Sequence, residues 1–129
     1  MSRQQLDFML QLSAQFPPPQ GGPEEMRSWF EAINAQTPVA DGSMIERVAS
    51  GPAGGDLIRL PGGDDGRLII YFHGGGFLFG SSRSHRVVAS NLARASGCAV
   101  LAADYRLAPE HPAPPANDDA YSVYRWALD

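Results

Sequence analysis

Three consecutive glycines follow an apolar, strand-like segment, and their backbone amides could bind an oxygen that becomes negatively charged. Residues 68–72 lead into His73, and Gly74, Gly75 and Gly76 come next. Because glycine has no Cβ, such a loop can bring its N–H groups into contact with a ligand atom. Amides placed in this way stabilise the oxyanion that forms during acyl transfer. A Gly-x-Ser-x-Gly segment, which would carry a nucleophilic serine, occurs nowhere in the 129 residues.

A dinucleotide-binding loop is the alternative interpretation of these glycines. The order of strand, glycines, helix and a strand that ends in an acid, Asp104, matches that motif superficially. However, Phe79 occupies the position of the third glycine. At least six residues, 77–82, also separate the glycines from the next predicted helix, so its N-terminus cannot hold a pyrophosphate directly. The spacing therefore favours the oxyanion loop.

The three histidines are predicted to have structural roles. His73 stands at a strand end, where its ring is expected to bond nearby backbone and support the glycine loop rather than act as a base. His85, at a helix start, and His111, between an acid and a proline, are predicted to be structural or solvent-facing. Their spacing is not that of metal ligands, so no metal site is expected.

Four further side chains with nucleophilic atoms are also interpreted as structural. Ser81, Ser82 and Ser84 crowd together before a predicted helix, where N-capping is the usual role of serine. None of them lies on a strand-to-helix elbow. Cys98 is the single cysteine, which excludes an internal disulfide, and its apolar surroundings predict a buried, inert thiol.

A segment dense in charge and proline follows the last predicted strand. It covers residues 104–112, and its prolines restrict the backbone of the loop. Arg106 is predicted to pair with Glu110, Asp118 or Asp119, and this pairing would brace the loop beside the glycines. An ordinary solvated loop is the alternative.

Length and composition exclude several classes of function. The chain has 129 residues, of which 43% are hydrophobic and 19% charged, as in a soluble globular domain. The net charge is −4 and the ten basic residues are scattered arginines, so nucleic acid is not an expected partner. No apolar stretch has the length of about 18 residues that marks a membrane span, and no signal peptide is recognisable. We expect a cytoplasmic protein.

Four helices are predicted, the first three from apolar residues at three- and four-residue spacing. The first starts at a Ser-x-x-Gln capping box at Ser2, and Pro23 begins the second. The third covers 84–96, with Gly97 suited to end it, and the fourth covers 118–128. The apolar faces of the first three helices are Leu6, Met9 and Leu10, then Met26, Trp29, Phe30 and Ile33, then Val88, Leu92 and Ala95. The first two faces are interpreted as core packing, with a mobile lid as the alternative.

Four strands complete the predicted elements. Residues 44–50 and 56–60 form an antiparallel hairpin around a glycine-rich turn. Residues 67–72 and 98–103 are unbroken apolar runs, typical of strands buried on both faces. With the helix between them, these two form a right-handed parallel unit. An α/β fold follows from this order.

Two motifs together resemble one known family. His-Gly-Gly-Gly-Phe at 73–77, followed by Asp-Tyr-Arg-Leu-Ala-Pro-Glu-His-Pro at 104–112, resembles the hormone-sensitive-lipase-like esterases, or bacterial esterase family IV, of the α/β-hydrolase superfamily. The resemblance covers residues 40–129 closely. The helices of residues 1–36 are similar to that family's N-terminal cap segment.

The resemblance implies a fold, a reaction and a set of site residues. The fold would be the N-terminal part of an α/β-hydrolase core with a mostly parallel central sheet. Gly74, Gly75 and Gly76 would form the oxyanion hole, with Gly75 and Gly76 as the best donors and His73 as loop support. The Ser, Asp and His of the triad would lie in a C-terminal region that this chain lacks, so residues 1–129 alone are expected to be inactive.

The same resemblance implies the substrate and partners. The whole protein would hydrolyse carboxylic esters with short to medium acyl chains through a serine acyl-enzyme, without a cofactor. Its partners would be the small ester and the remainder of the same domain, and the family allows a homodimer. An amidase or deacetylase would use the same oxyanion chemistry.

Two other classes of function remain open. The chain could belong to a non-catalytic ligand-binding protein on the same scaffold, like the plant gibberellin receptors, whose glycine loop would hold a carboxylate without turnover. It could also be an independently folded interaction fragment. A triad histidine beyond this chain, or cooperative unfolding of residues 1–129, would discriminate between these possibilities.

Overall fold

The described part of the chain contains four helices and four strands, and the strands form one sheet. A computed structural model describes residues 2–129. The following side chains lie outside the described residues: Gln5, Phe8, Met9, Leu12, Ser13 and Asp65. The elements in chain order are α1 (Arg3–Gln15), α2 (Pro23–Asn34), β1 (Met44–Val48), β2 (Gly55–Arg59), β3 (Asp64–Phe72), α3 (Arg86–Ser96), β4 (Cys98–Ala103) and α4 (Pro115–Trp126). Met9, predicted to join the apolar face of the first helix, is among the side chains left undescribed.

The described strands form a mixed sheet in the order β1-β2-β4-β3. β1 and β2 make the predicted antiparallel hairpin, and β2 is also antiparallel to β4. β3 and β4 are parallel, with Phe72 opposite Ala103 at their carboxyl ends. The crossover through α3 therefore forms the predicted parallel unit. As a result, the loops that follow β3 and β4 lie at the same edge.

Helices cover both faces of the sheet. On one face Leu57 and Leu101 pack with Val123 of α4. On the other face Ile58 and Val100 pack with the alanines of α3. β4 is buried along its whole length, as its unbroken apolar sequence predicts. Burial on both sides of β4 thus fixes the position of the loop that starts after it.

The buried face of α3 differs from the prediction. Val88 is 49% exposed and Ala95 is also exposed, whereas Ala89 and Ala93 are buried. Alanine side chains are short, so they let the helix approach the sheet closely. Gly97 has the predicted left-handed conformation, with φ 69°, and ends the helix.

The predicted starts of three elements shift. α3 begins at Arg86 rather than residue 84, because residues 82–85 form a turn of their own. α4 begins at Pro115 rather than residue 118, since proline fits the first turn of a helix. β3 begins at Asp64 rather than residue 67, with a register irregularity between Asp64 and Leu68.

Burial of β3 on both faces was predicted and is wrong for the described sheet. Leu68 is 37% exposed and Phe72 is 40% exposed. β3 is the terminal strand in the strand order, so one side of it has no neighbouring strand among residues 2–129. An apolar run cannot reveal whether its strand is central or terminal.

The two N-terminal helices differ in how they contact the rest of the chain. Core packing was predicted for the face of α1, but Leu6 and Leu10 are 42% and 60% exposed. The apolar face of α2 is half-buried, and Phe30 contacts Phe79, with ring centroids 5.0 Å apart. Across residues 2–129, none of the helices combines the length and hydropathy that crossing a bilayer requires.

Candidate active site

The glycine loop and the charged loop lie side by side at the carboxyl edge of the parallel strands. Residues 74–76 follow β3 after His73, and residues 104–112 follow β4 directly. The two loops are joined by the N–H of Ala108, which donates to the carbonyl oxygen of Phe77 at 2.8 Å. The carboxyl ends of parallel strands are the usual position of active sites in α/β proteins. The sequence motifs that are far apart in the chain therefore form one site.

Gly75 occupies a position that no other residue fits. Its φ is 126°, and a Cβ there would lie 1.9 Å from the carbonyl oxygen of Phe79. Its own carbonyl accepts hydrogen bonds from the N–H groups of Leu78 and Phe79 at 3.1 and 3.3 Å. Gly76 follows with φ 61°. The loop thus folds back tightly on itself, and only the missing side chain allows this.

The N–H groups of the three glycines are free to bind an external oxygen. Among the residues that the structure describes, Gly74, Gly75 and Gly76 donate no hydrogen bond to a protein acceptor. Gly74 and Gly76 are exposed, and Gly75 is half-buried. Backbone donors without an acceptor in the protein are what an oxyanion hole requires.

Phe77 is a strained residue directly after the glycines. Its φ is 61°, the only positive φ at a non-glycine position among residues 2–129. A left-handed conformation costs about 1–2 kcal/mol for a residue with a side chain. The ring is 57% exposed and meets Tyr105 edge-on at 6.1 Å. Strain of this kind is concentrated at functional sites, and nothing in the amino-acid pattern indicated it.

His73 supports the loop through its ring. Its Nδ1–H donates to the carbonyl oxygen of Gly74 at 2.9 Å, since a carbonyl can only accept. The ring stacks between Tyr105, with centroids 4.3 Å apart, and His85, 5.4 Å apart. Burial lowers the pKa of His73, so the ring is neutral at neutral pH. The hydrogen bond from the ring to the carbonyl of Gly74 is the kind of backbone contact that was predicted for His73.

Two neighbours of His73 were not singled out from the sequence. The hydroxyl of Tyr105 donates to the carbonyl oxygen of His73 at 2.6 Å, and burial raises the pKa of this phenol. Gly80 lies so close that a Cβ there would be 2.6 Å from both the carbonyl oxygen of Gly74 and Nδ1 of His73. In the sequence, the only sign of a special role for Gly80 was that it is an isolated glycine between a loop and a helix.

The serines brace the turn before α3 rather than cap the helix. The N-cap position is His85, without a side-chain hydrogen bond to the helix. Ser81 and Ser84 each accept a hydrogen bond from the other's N–H, at 3.0 and 2.9 Å. Ser82 is held by Asp104, whose carboxylate accepts from its N–H at 2.5 Å and from its hydroxyl at 3.1 Å. The N-capping prediction was therefore wrong.

Asp104 also connects the site to the hairpin. It accepts from Nη1 of Arg47 at 2.6 Å. Arg47 in turn contacts Asp56, which is buried and also accepts from Nε of Arg86 at 2.7 Å. This network ties β1, β2 and the start of α3 to the loop after β4.

Arg106 pairs with the third of its three predicted partners. Its Nη2 lies 2.6 Å from Oδ1 of Asp119, and its backbone N–H donates to Oδ2 at 2.8 Å. Asp119 is completely buried, and the guanidinium keeps the pKa of this carboxyl below its ordinary range. Among the described residues, Glu110 makes no hydrogen bond or ion pair with Arg106. It pairs instead with Arg27 of α2, at 2.8 Å.

This chain is similar in sequence to known hydrolases. A sequence-family model described as the α/β-hydrolase fold matches residues 69–129. The esterase LipI of Mycobacterium tuberculosis is 32% identical over 114 residues, which are 84% of this chain and 36% of that protein. An acetyl-hydrolase of Streptomyces hygroscopicus is 48% identical over 69 residues, which are 54% of this chain and 23% of that protein.

Comparison with solved structures also indicates the fold of these hydrolases. The structure of an esterase from the bacterial hormone-sensitive lipase family superposes with a TM-score of 0.89 at 36% identity. The superposition covers 99% of this chain and 43% of the esterase. This chain therefore spans less than half the length of each of these three relatives.

Proposed function

We propose that the whole protein is a carboxylic-ester hydrolase that uses a nucleophilic serine, because this chain is similar in sequence and fold to hormone-sensitive-lipase-like esterases of the α/β-hydrolase fold. The observation that carries the proposal is the glycine loop. Gly75 and Gly76 adopt positive φ values at the carboxyl edge of the parallel strands, and their N–H groups have no acceptor in the described protein. Relatives named esterase, acetyl-hydrolase and carboxylic ester hydrolase support the reaction class.

In the proposed mechanism, the glycine amides bind the oxygen that becomes negative. The serine oxygen attacks the ester carbonyl carbon while a histidine takes the serine proton, and the carbonyl oxygen gains the charge. The N–H groups of Gly75 and Gly76 donate to that oxygen. The histidine then protonates the departing alcohol, and water hydrolyses the acyl-serine by the same steps. The serine, its histidine and an orienting acid come from sequence outside residues 1–129.

His73 is proposed to hold the glycine loop in position and not to transfer the proton of the nucleophilic serine. Its Nδ1–H is engaged by the carbonyl of Gly74, and its ring is sandwiched between Tyr105 and His85. Burial keeps it neutral, so it holds the carbonyl of Gly74 without adding a charge near the oxyanion. The oxyanion would thus be stabilised by amide dipoles alone within this chain.

The chain is proposed to contain two functional parts. Residues 1–36 form a cap, and residues 40–129 form part of the hydrolase core. Contact of Phe30 on α2 with Phe79, three residues after Gly76, supports a cap close to the glycine loop. We expect esters with short to medium acyl chains as substrates, and a cytoplasmic location stays a prediction.

Hydrolysis of p-nitrophenyl acetate, butyrate and decanoate by the full-length protein tests the proposed function. We expect turnover of the two shorter esters and inactivation by a phosphonate that labels serine. A protein that binds these esters without turnover would contradict the hydrolase and support the ligand-binding alternative.

Deletion of residues 1–36 from the full-length protein tests the cap. We expect a change in the ratio of kcat/KM between butyrate and decanoate esters, because α2 lies near Phe79. An unchanged ratio in a variant with a normal thermal transition would show that these helices have no part in substrate selection.

A further inference from the structure

One arginine of α2 joins that helix to both loops of the candidate site. Nε of Arg27 donates to the carbonyl oxygen of Leu78 at 2.8 Å. Its Nη2 donates to the carbonyl oxygen of Ala108 at 2.8 Å. The same guanidinium holds Glu110 with two bonds, from Nη1 at 2.9 Å and from Nη2 at 2.8 Å. Four hydrogen bonds from this one side chain therefore link α2 to the segment around Leu78 and to the loop after β4.

The two carbonyls belong to backbone that fixes the glycines. The N–H of Leu78 donates to the carbonyl oxygen of Gly75, so the peptide units on both sides of Leu78 are constrained. The N–H of Ala108 donates to the carbonyl oxygen of Phe77, the residue after Gly76. Arg27 thus closes a ring of hydrogen bonds around the turn that presents the glycine amides.

We propose that Arg27 is a positioning residue, which couples the docking of α2 to the geometry of the glycine loop. The proposal rests on the proposed function, because the loop geometry matters only if the glycine amides bind the oxyanion. The hydrogen bonds of Arg27 in the described protein go to Leu78, Ala108 and Glu110, and none goes to the glycines. It acts through Leu78 and Ala108.

The ion pair alone does not account for this arrangement. Glu110 is 51% exposed and Arg27 25% exposed, and exposed pairs contribute little to stability. The carbonyl contacts are different, since they require the planar fork of a guanidinium. A lysine ammonium keeps the charge but cannot reproduce that fork. The arrangement therefore distinguishes a positioning role from simple charge pairing.

Other contacts of α2 would keep the helix docked without Arg27. Phe30 packs against Phe79 and against His85, with ring centroids 5.0 and 5.6 Å apart. Glu31 accepts a hydrogen bond from the hydroxyl of Ser81 at 2.5 Å. Removal of Arg27 should therefore loosen the loops while α2 stays in place.

The test compares Arg27→Ala, Arg27→Lys and Glu110→Gln in the full-length protein, with Arg94→Ala as a matched control on α3. Arg94 is an exposed arginine that bonds only Asn91 among the described contacts. For p-nitrophenyl butyrate, we expect kcat of Arg27→Ala and Arg27→Lys to fall about 10-fold. This is less than the roughly 100-fold that a misplacement of a catalytic group by about 1 Å can cost, because Arg27 acts only through Leu78 and Ala108. KM should change by less than about twofold, because the interaction lost is one that matters in the transition state. Arg94→Ala should retain wild-type kcat, and Glu110→Gln, which removes the charge of the pair but leaves the two carbonyl contacts possible, should lower kcat less than Arg27→Ala does.

Hydrogen–deuterium exchange provides a readout that does not depend on activity. In Arg27→Ala, the amides of Leu78, Phe79 and Ala108 should exchange faster, while amides of β4 remain unchanged. If the wild-type protein hydrolyses no ester, the proposed function fails, and the exchange result alone decides the coupling.

Three results would overturn the positioning role. The first is wild-type kcat and wild-type exchange in Arg27→Ala. The second is full rescue of kcat by Arg27→Lys, which would reduce the role to charge. The third is faster exchange across the whole chain, which would make Arg27 a general stabilising residue.

Discussion

Replacement of Gly75 by alanine should abolish most of the proposed activity without removing any chemical group. The new Cβ would lie 1.9 Å from the carbonyl oxygen of Phe79, whereas ordinary contacts begin at 3.4 Å. The loop must therefore move by more than an ångström, and the φ of 126° is itself disfavoured for alanine. Misplacing one oxyanion donor costs about 3–4 kcal/mol in the transition state, which corresponds to a fall in kcat of about 100- to 1,000-fold.

Gly74→Ala is the matched control for this variant. A Cβ at Gly74 meets nothing within 4 Å, and its φ is not in the positive region. The assay is steady-state hydrolysis of p-nitrophenyl butyrate by the full-length protein, with a thermal unfolding curve for each variant. We expect kcat to collapse in Gly75→Ala and to stay near the wild-type value in Gly74→Ala. Wild-type kcat in a folded Gly75→Ala protein, or an equal loss in both variants, would refute the role assigned to this amide.

Three further predictions concern the support of the loop. Gly80→Ala should lower kcat, because its Cβ would lie 2.6 Å from Nδ1 of His73, and normal activity would show that this contact is dispensable. Asp119→Asn should lower the thermal midpoint more than Asp118→Asn, since Asp119 is buried against Arg106 and Asp118 is exposed; equal midpoints would contradict a bracing role. Burial lowers the pKa of His73, so the unfolded chain binds a proton near pH 6.5 that the folded chain resists. Stability should therefore fall as the pH drops below about 6.5, and His73→Asn should weaken this dependence; identical pH profiles in urea unfolding would contradict the assignment.

Local sequence signals predicted those parts of the fold that depend on neighbouring residues. β4 has its predicted bounds because an unbroken apolar run is flanked by Gly97 and Asp104. Gly97 ends α3 because the left-handed conformation favours glycine. The glycine loop was recognisable since consecutive residues without Cβ atoms indicate a special backbone.

Long-range contacts were not predictable from the same signals. Arg27 reaches carbonyls 51 and 81 residues away, and backbone acceptors leave no trace in the amino-acid types. For Arg106 the sequence offered three acids, and only the orientation of α4 selects Asp119. The buried face of α3 likewise depends on how closely the helix approaches the sheet, which favoured Ala89 and Ala93 over the larger Val88.

The most direct test of the oxyanion site is a crystal structure of the full-length protein with a phosphonate bound to its nucleophilic serine. The phosphonate oxygen mimics the oxyanion of the tetrahedral intermediate. We predict that this oxygen lies about 2.7–3.1 Å from the backbone nitrogens of Gly75 and Gly76, as oxyanion donors do. A phosphonate oxygen that points away from these two amides, or one bound by other donors, would contradict the account.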